Sequence, residues 1–252
     1  MARLTDVVDF CNQRTHIDRV KDFPPAHNGL QFENHGDVNK IGAAVDAGLV
    51  PFELAGKAGV DFLIVHHGMF WNPVNSFTGA WRKKLLTLFA SNLAVYSSHL
   101  PLDCHPQIGN NAILARKLGI KVDGGFVNYE GNDIAVTGPS PIRHREELRN
   151  RLAELFPETL IAIEEGPAQI KRIGILTGSG RSAIPELRAN HIDTFITGEL
   201  KQEHFNIAQE EGLNIYLGGH YATETFGVCA LAEEVAHKFH LEWEFIGTDC
   251  PL

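Results

Sequence analysis

The sequence predicts an α/β protein made of two related halves, and three observations carry that expectation. Short apolar segments of strand character occur at residues 41–45, 62–65, 93–96, 173–176, 194–196 and 215–217, separated by stretches with helical apolar spacing. Strand alternating with helix is the pattern of an α/β fold, in which helices cover the faces of a sheet. The two halves also match each other, weakly but in order. Finally, several strand segments run straight into histidines and carboxylates, and ligands of open α/β sheets gather beyond such strand ends.

The first residues lead into an amphipathic pattern (Leu4, Val7, Val8, Cys11) rather than a continuous apolar run, so the expectation is a soluble, cytoplasmic chain without a signal peptide or membrane span. Trp81, Leu85, Leu88 and Phe89 mark the buried face of one helix, and Val228, Leu231, Ala232, Val235 and Phe239 that of another. Asn110 is placed to cap a helix carrying Ile113, Leu114 and Leu118, and Thr223 to cap one with Glu224 in its first turn. The Gly/Asn-containing stretch 123–131 reads as a linker, with a second break at Gly138-Pro-Ser-Pro141, which divides the chain into repeats 1–124 and 125–252.

The repeat aligns residues 40–48 with 172–180 and 60–67 with 192–199 at one offset. After a slip of one residue, His99 falls on His220 and Asp103 on Glu224, so a His-x-x-x-carboxylate unit occurs twice.

With 252 residues, 44 % of them hydrophobic and 21 % charged, the composition is that of a globular protein with a sizeable core. The net charge of −9 with no Lys/Arg-rich run argues against a general nucleic-acid binder, because the long-range field repels phosphate. Cys11, Cys104, Cys229 and Cys250 form no C-x-x-C pair, which speaks against a disulfide framework or a thiolate zinc site.

Histidine is the unusual count, at 13. Residues 62–65 end abruptly in His66, His67 and Gly68; neighbours on a strand point to opposite faces, so both rings meet one site only if the strand ends there and the backbone turns, which Gly68 permits. A second strand runs into His99-Leu-Pro-Leu-Asp103, stiffened by Pro101, and a third into Gly218-Gly-His220 with Glu224 four residues on. Mixed imidazole and carboxylate donors suit zinc, manganese, iron or nickel. Five ligands exceed one closed tetrahedral site, and two carboxylates able to bridge suit a pair of ions. The expected roles are His66, His67 and His220 as terminal ligands and Asp103 and Glu224 as bridges. His99 and Glu199, the repeat partners of His220 and His67, are expected nearby as proton carriers or supporting groups. The Gly-rich turn at 177–182 reads either as a phosphate cradle or as a plain strand-to-helix turn.

Asn28-Gly-Leu-Gln31, Val65-His-His-Gly68, His99-Leu-Pro-Leu-Asp103 with His105-Pro and Gly109-Asn-Asn111, Thr197-Gly-Glu199, and Gly219-His220 with Thr223-Glu224 together resemble the Nif-three-like proteins, also known as GTP cyclohydrolase type 2 homologs. The likeness covers nearly the whole chain and matches the short form of that family. It implies two intertwined α/β repeats with mixed sheets, a dinuclear metal centre between them, and a toroidal homohexamer. It also implies metal ligands at His66, His67, Asp103, His220 and Glu224. The function expected is a metal-dependent hydrolase of a small nucleotide-like or phosphorylated substrate, with GTP as the named candidate. The alternative is a non-catalytic metal-binding or regulatory interaction protein.

Overall fold

The computed structural model describes residues 1–71 and 76–252. The chain begins with strand β1 (Ala2–Arg3), helix α1 (Leu4–Thr15) and strands β2 (Gly29–Phe32), β3 (Asp37–Val38) and β4 (Lys40–Asp46). Helix α2 (Leu49–Lys57), β5 (Phe62–His67), α3 (Gly79–Ser91), β6 (Ala94–Ser97) and the one-turn α4 (Leu100–Asp103) follow. Next come α5 (Asn110–Lys117), β7 (Gly124–Tyr129), β8 (Asn132–Pro139), α6 (Arg145–Leu155), β9 (Ile161–Glu164) and β10 (Arg172–Ser179). A 3-10 segment (Arg181–Glu186), β11 (Thr194–Glu199), α7 (Glu203–Glu211), β12 (Asn214–Leu217), the short α8 (His220–Thr223), α9 (Thr225–Phe239) and β13 (Glu242–Phe245) complete the described elements.

These elements fall into two compact units. One comprises Met1–Ile108 with Gly227–Asp249, the other Gly109–Phe226 with Cys250–Leu252.

In the first unit the sheet order is β13-β4-β5-β6-β2, parallel except for the antiparallel edge strand β2. Alternation along the strands sorts their side chains onto two covered faces. Ile41, Ala43, Phe62, Ile64 and Tyr96 pack with Leu4, Val7 and Cys11 of α1 and Val228, Leu231 and Val235 of α9. Ala44, Leu63, Val65 and Val95 pack with Phe52 of α2 and Leu88 of α3. Both faces being dry explains why β5 opens as an unbroken apolar run, each such fully buried side chain contributing roughly 1.5–3 kcal/mol.

In the second unit the order is β7-β8-β10-β11-β12-β9, with β10, β11 and β12 parallel and the outer strands antiparallel. Ile173, Ile175, Ile196 and Tyr216 pack with Leu114 and Leu118 of α5 and Leu148 and Leu152 of α6. Each unit therefore has three sequential parallel strands whose third member pairs with an antiparallel edge strand that precedes them in sequence. That shared topology is the physical content of the internal repeat.

Two local expectations change. The presumed linker 123–131 is strand, because β7 and β8 form a hairpin whose turn residues Glu130 and Gly131 both take positive φ (49° and 90°), the geometry of a type I′ turn. Helix α5 starts at Asn110 itself, with Gly109 in the cap position and Asn110 wholly buried. No described helix is long and apolar enough to cross a membrane.

Candidate metal centre

In the first unit, β5 ends at His67, which pairs with Asp46 at the end of β4. The His66 and His67 ring centroids lie 4.9 Å apart, so ending the strand there does bring both imidazoles together. His99, leading into α4, places its ring 4.8 Å from that of His66. One nitrogen from each of His66, His67 and His99 lies within 4.8 Å of the other two, a grouping that could hold a metal ion. Asp103, at the end of α4, sets Oδ2 3.3 Å from His66 Nε2.

The imidazoles are oriented alike. His66 Nδ1 donates to the Ser98 carbonyl (3.1 Å), His67 Nδ1 to Asp46 Oδ1 (2.9 Å) and His99 Nδ1 to Asp22 Oδ1 (2.8 Å). A neutral imidazole whose Nδ1–H is donated carries its lone pair on Nε2, the arrangement that metal-ligating histidines adopt.

The second unit repeats the device. His220, the first residue of α8, has Nδ1 3.1 Å from Glu199 Oε1 at the end of β11 and Nε2 3.3 Å from Glu224 Oε2. Burial works against protonating His220, but the hydrogen bonds and charges of Glu224 and then Glu199 overcome it and push its pKa up to about 9. Glu224 is 3 % exposed and is walled by Gly178, whose φ is +65°. A Cβ at Gly178 would stand 2.0 Å from Glu224 Oε1 and 3.1 Å from His220 Nε2. The phosphate reading of this turn is thereby displaced, since a carboxylate fills the space beside its backbone. Thr223 does not cap α9 either; its hydroxyl donates to the Gly219 carbonyl (2.9 Å) and accepts from the Gly178 N–H (3.0 Å).

The donor set fits a divalent ion. A tetrahedral ion with ligand bonds of about 2.0–2.1 Å spaces adjacent donors about 3.3 Å apart, which matches both the His66–Asp103 and the His220–Glu224 separations.

Residues 2–251 match the family model described as Duf34/NIF3 (NGG1p interacting factor 3). The chain belongs to the NIF3 family. A "GTP cyclohydrolase 1 type 2 homolog" of Deinococcus radiodurans is 36 % identical over 230 residues, covering 90 % of this chain and 88 % of that one. A protein of the same name from Halobacterium salinarum is 37 % identical over 249 residues, covering 96 % and 97 %. Among solved structures, TTHA1606 from Thermus thermophilus is 36 % identical, with full coverage of both chains and a TM-score of 0.89.

Several residues of this NIF3 chain have roles that the sequence did not indicate. Asp46 and Gly178 occupy the same position in the aligned repeats, and that shared position was the available signal; Asp22 lies in an irregular segment and gave none. Gly68 matters for a reason other than the one expected: its φ is ordinary, but a Cβ there would lie 2.1 Å from Gln31 Nε2. Gln31 in turn accepts from the Met69 N–H (2.6 Å) and donates to the His27 carbonyl (2.6 Å), holding the backbone just past His67. His105 turns away to Arg14, which also pairs with Glu234, and its Nδ1 accepts the Gln107 and Ile108 N–H groups. Burial and then the Arg14 charge push its pKa down to about 4. Asn111 is a brace: its side chain accepts from Thr177 N (2.8 Å) and donates to the Ile134 carbonyl (2.9 Å).

Proposed function

We propose that this NIF3-family chain holds two divalent ions (zinc, manganese, iron or nickel) with His66, His67, Asp103, His220 and Glu224 as ligands, and hydrolyses a small nucleotide-like or phosphorylated substrate. The observation that carries this reading is the common orientation of the imidazoles, each with Nδ1 committed to an oxygen, together with a carboxylate oxygen 3.3 Å from Nε2 in each unit. Bound there, a metal pair would acidify a water to a hydroxide near neutral pH and polarise the bond it attacks.

The protein's own part is orientation and proton handling. Ser98, Asp46 and Glu199 fix the ligand rings, with Glu199 placed at the His220 Nδ1 proton. His99 Nε2 accepts or returns a proton beside His66 and His67. Trp71 stacks edge-to-face on His99 at 4.8 Å and shields it from water. The names of the curated relatives make GTP the first substrate to test. The composition and the lack of a membrane-crossing helix among the described residues fit a soluble cytoplasmic protein, and the resemblance supports a homohexamer.

The test is elemental analysis of chain purified without chelator, native and as His66→Ala and Glu224→Ala, followed by turnover assays on GTP and a panel of nucleotides and phosphoesters. About two ions per native chain, fewer in both variants, and a consumed substrate that Asp103→Ala leaves intact are expected. A native chain that takes up no zinc, manganese, iron or nickel rules the reading out. Metal uptake without any turnover reduces it to a non-catalytic metal-binding protein.

A further inference from the structure

We propose that Asp22 is a positioning residue that decides which nitrogen of His99 carries the proton, and so whether Nε2 offers a lone pair to the candidate metal centre. This rests on the reading of His99 as a group that accepts a proton through Nε2, but the orientation itself is a property of the first unit alone.

Asp22 lies in the irregular segment after α1, where no helix or strand fixes its side chain. Four donors fix it instead. Oδ1 accepts the Phe23 N–H (2.7 Å) and His99 Nδ1 (2.8 Å), and Oδ2 accepts Asn28 Nδ2 (2.8 Å) and the Leu100 N–H (2.8 Å). An ionised carboxylate offers about four acceptor positions, so this one is saturated. Burial alone would raise its pKa, yet the hydrogen bond from His99, with the Asn28 and Leu100 donors, holds the carboxyl below its ordinary value. An ionised Asp22 can only accept, which obliges His99 to carry a proton on Nδ1; in the neutral ring the lone pair is then on Nε2.

The other two carboxylates set against an imidazole Nδ1 are more exposed. The side chains of Asp46 and Glu199 are 50 % and 54 % exposed, whereas Asp22 is 6 % and its partner His99 10 %. Water can replace Asp46 or Glu199 as acceptor, but little water reaches Asp22. The backbone is tied into the same knot, since Asn28 Oδ1 accepts the His99 N–H (2.8 Å). The ring is further held by Trp71 and by Phe23, whose centroid is 5.9 Å away.

Donor counting shows what Asp22→Asn would do. If the new amide kept its oxygen toward His99, its NH2 would face two donors, Asn28 Nδ2 and the Leu100 N–H. Turned the other way, its oxygen accepts from both and its NH2 faces His99 Nδ1, leaving only the Phe23 N–H opposed. The second arrangement satisfies more groups, and it forces Nδ1 to accept and Nε2 to carry the proton. An amide in place of a carboxylate in such a pair is known to select the wrong imidazole tautomer.

The measurement is the imidazole nitrogen NMR spectrum of full-length protein, native and Asp22→Asn, as purified and after zinc addition, with His99→Gln to assign the ring. A protonated Nδ1 on His99 in the native protein and a protonated Nε2 in Asp22→Asn are expected, with zinc content unchanged between the two. If native His99 is protonated on Nε2, the proposal fails whether or not the variant folds. If Asp22→Asn lowers the melting temperature but leaves the proton on Nδ1, Asp22 is structural only and the proposal also fails. Failure of the metal reading looks different: native protein without zinc, with the His99 tautomer still obeying Asp22.

Discussion

Substituting Gly178 by alanine separates two costs that the structure places at one residue. The first is backbone strain, because φ is +65° and a side chain there costs roughly 1–2 kcal/mol. The second is a collision with the candidate ligand. The new Cβ would lie 2.0 Å from Glu224 Oε1, so the carboxylate must retreat by about 1.4 Å to reach ordinary contact at 3.4 Å. Metal–ligand distances tolerate only about ±0.2 Å, so a retreat of this size removes Glu224 as a ligand. Gly212 supplies the control. Its φ is +64°, and the nearest atom to an added Cβ is the Glu165 carbonyl at 3.9 Å. Gly212→Ala thus carries the strain without the collision. Melting curves and zinc titrations on both variants are the assay. Gly212→Ala should melt roughly 2–8 °C lower, from the usual 2–4 °C per kcal/mol for a chain of this size, with native zinc affinity. Gly178→Ala should melt at least as low and bind zinc about 100-fold more weakly or worse, beyond what disturbing a supporting contact costs. Equal zinc affinity in the two variants would refute the claim that Gly178 holds Glu224 at a metal.

Asn111→Ala should cost roughly 2–5 kcal/mol, because it strands the buried Thr177 N–H and Ile134 carbonyl; an unchanged urea midpoint would contradict this. Zinc binding should release a proton from His220, whose pKa without metal is about 9, so affinity should climb from pH 6 to pH 9; calorimetry in buffers of different ionisation enthalpy reads the proton directly. For the metal-free chain the sign is opposite: the raised His220 pKa stabilises the fold fully below about pH 6.5, the unfolded value, and that contribution is lost as pH rises through 9. His105 works the other way. Its folded pKa of about 4 lies below the unfolded value, so its contribution, at most about 3 kcal/mol, is present above pH 6.5 and lost as pH falls through 4; His105→Gln should flatten the acid limb of the stability profile.

The strands legible in the sequence share one physical property. The six expected segments became β4, β5, β6, β10, β11 and β12, all in parallel pairings and covered on both faces, which demands unbroken apolar runs. The strands without a legible apolar run are the two-residue pair β1 and β3, the edge strands β2, β7, β9 and β13, and β8, the hairpin partner of β7; all but β13 pair antiparallel, where no unbroken apolar run is required. Edge pairing also explains the linker error, since the Gly and Asn residues of 123–131 serve a hairpin turn as readily as a linker. At the candidate site, imidazoles and carboxylates at strand ends are visible because they interrupt apolar runs. Their supports are not, because Asp22 reaches His99 from 77 residues away and Gly178 acts through the side chain it lacks.

The buried polar groups set a condition on the metal-free fold. Glu224 is 3 % exposed, and an isolated carboxylate at that depth costs several kcal/mol. The protonated ring of His220 meets that cost, touching Glu224 through Nε2 and Glu199 through Nδ1. In the second unit, then, a proton on Nε2 occupies the place proposed for an ion, and the carboxylates see a positive charge in either state. In the first unit Ser98, Asp46 and Asp22 accept the Nδ1 protons of His66, His67 and His99. Both units anchor Nδ1 on an oxygen and turn Nε2 toward the place proposed for an ion. Any ion bound by His220 and Glu224 must compete with that proton.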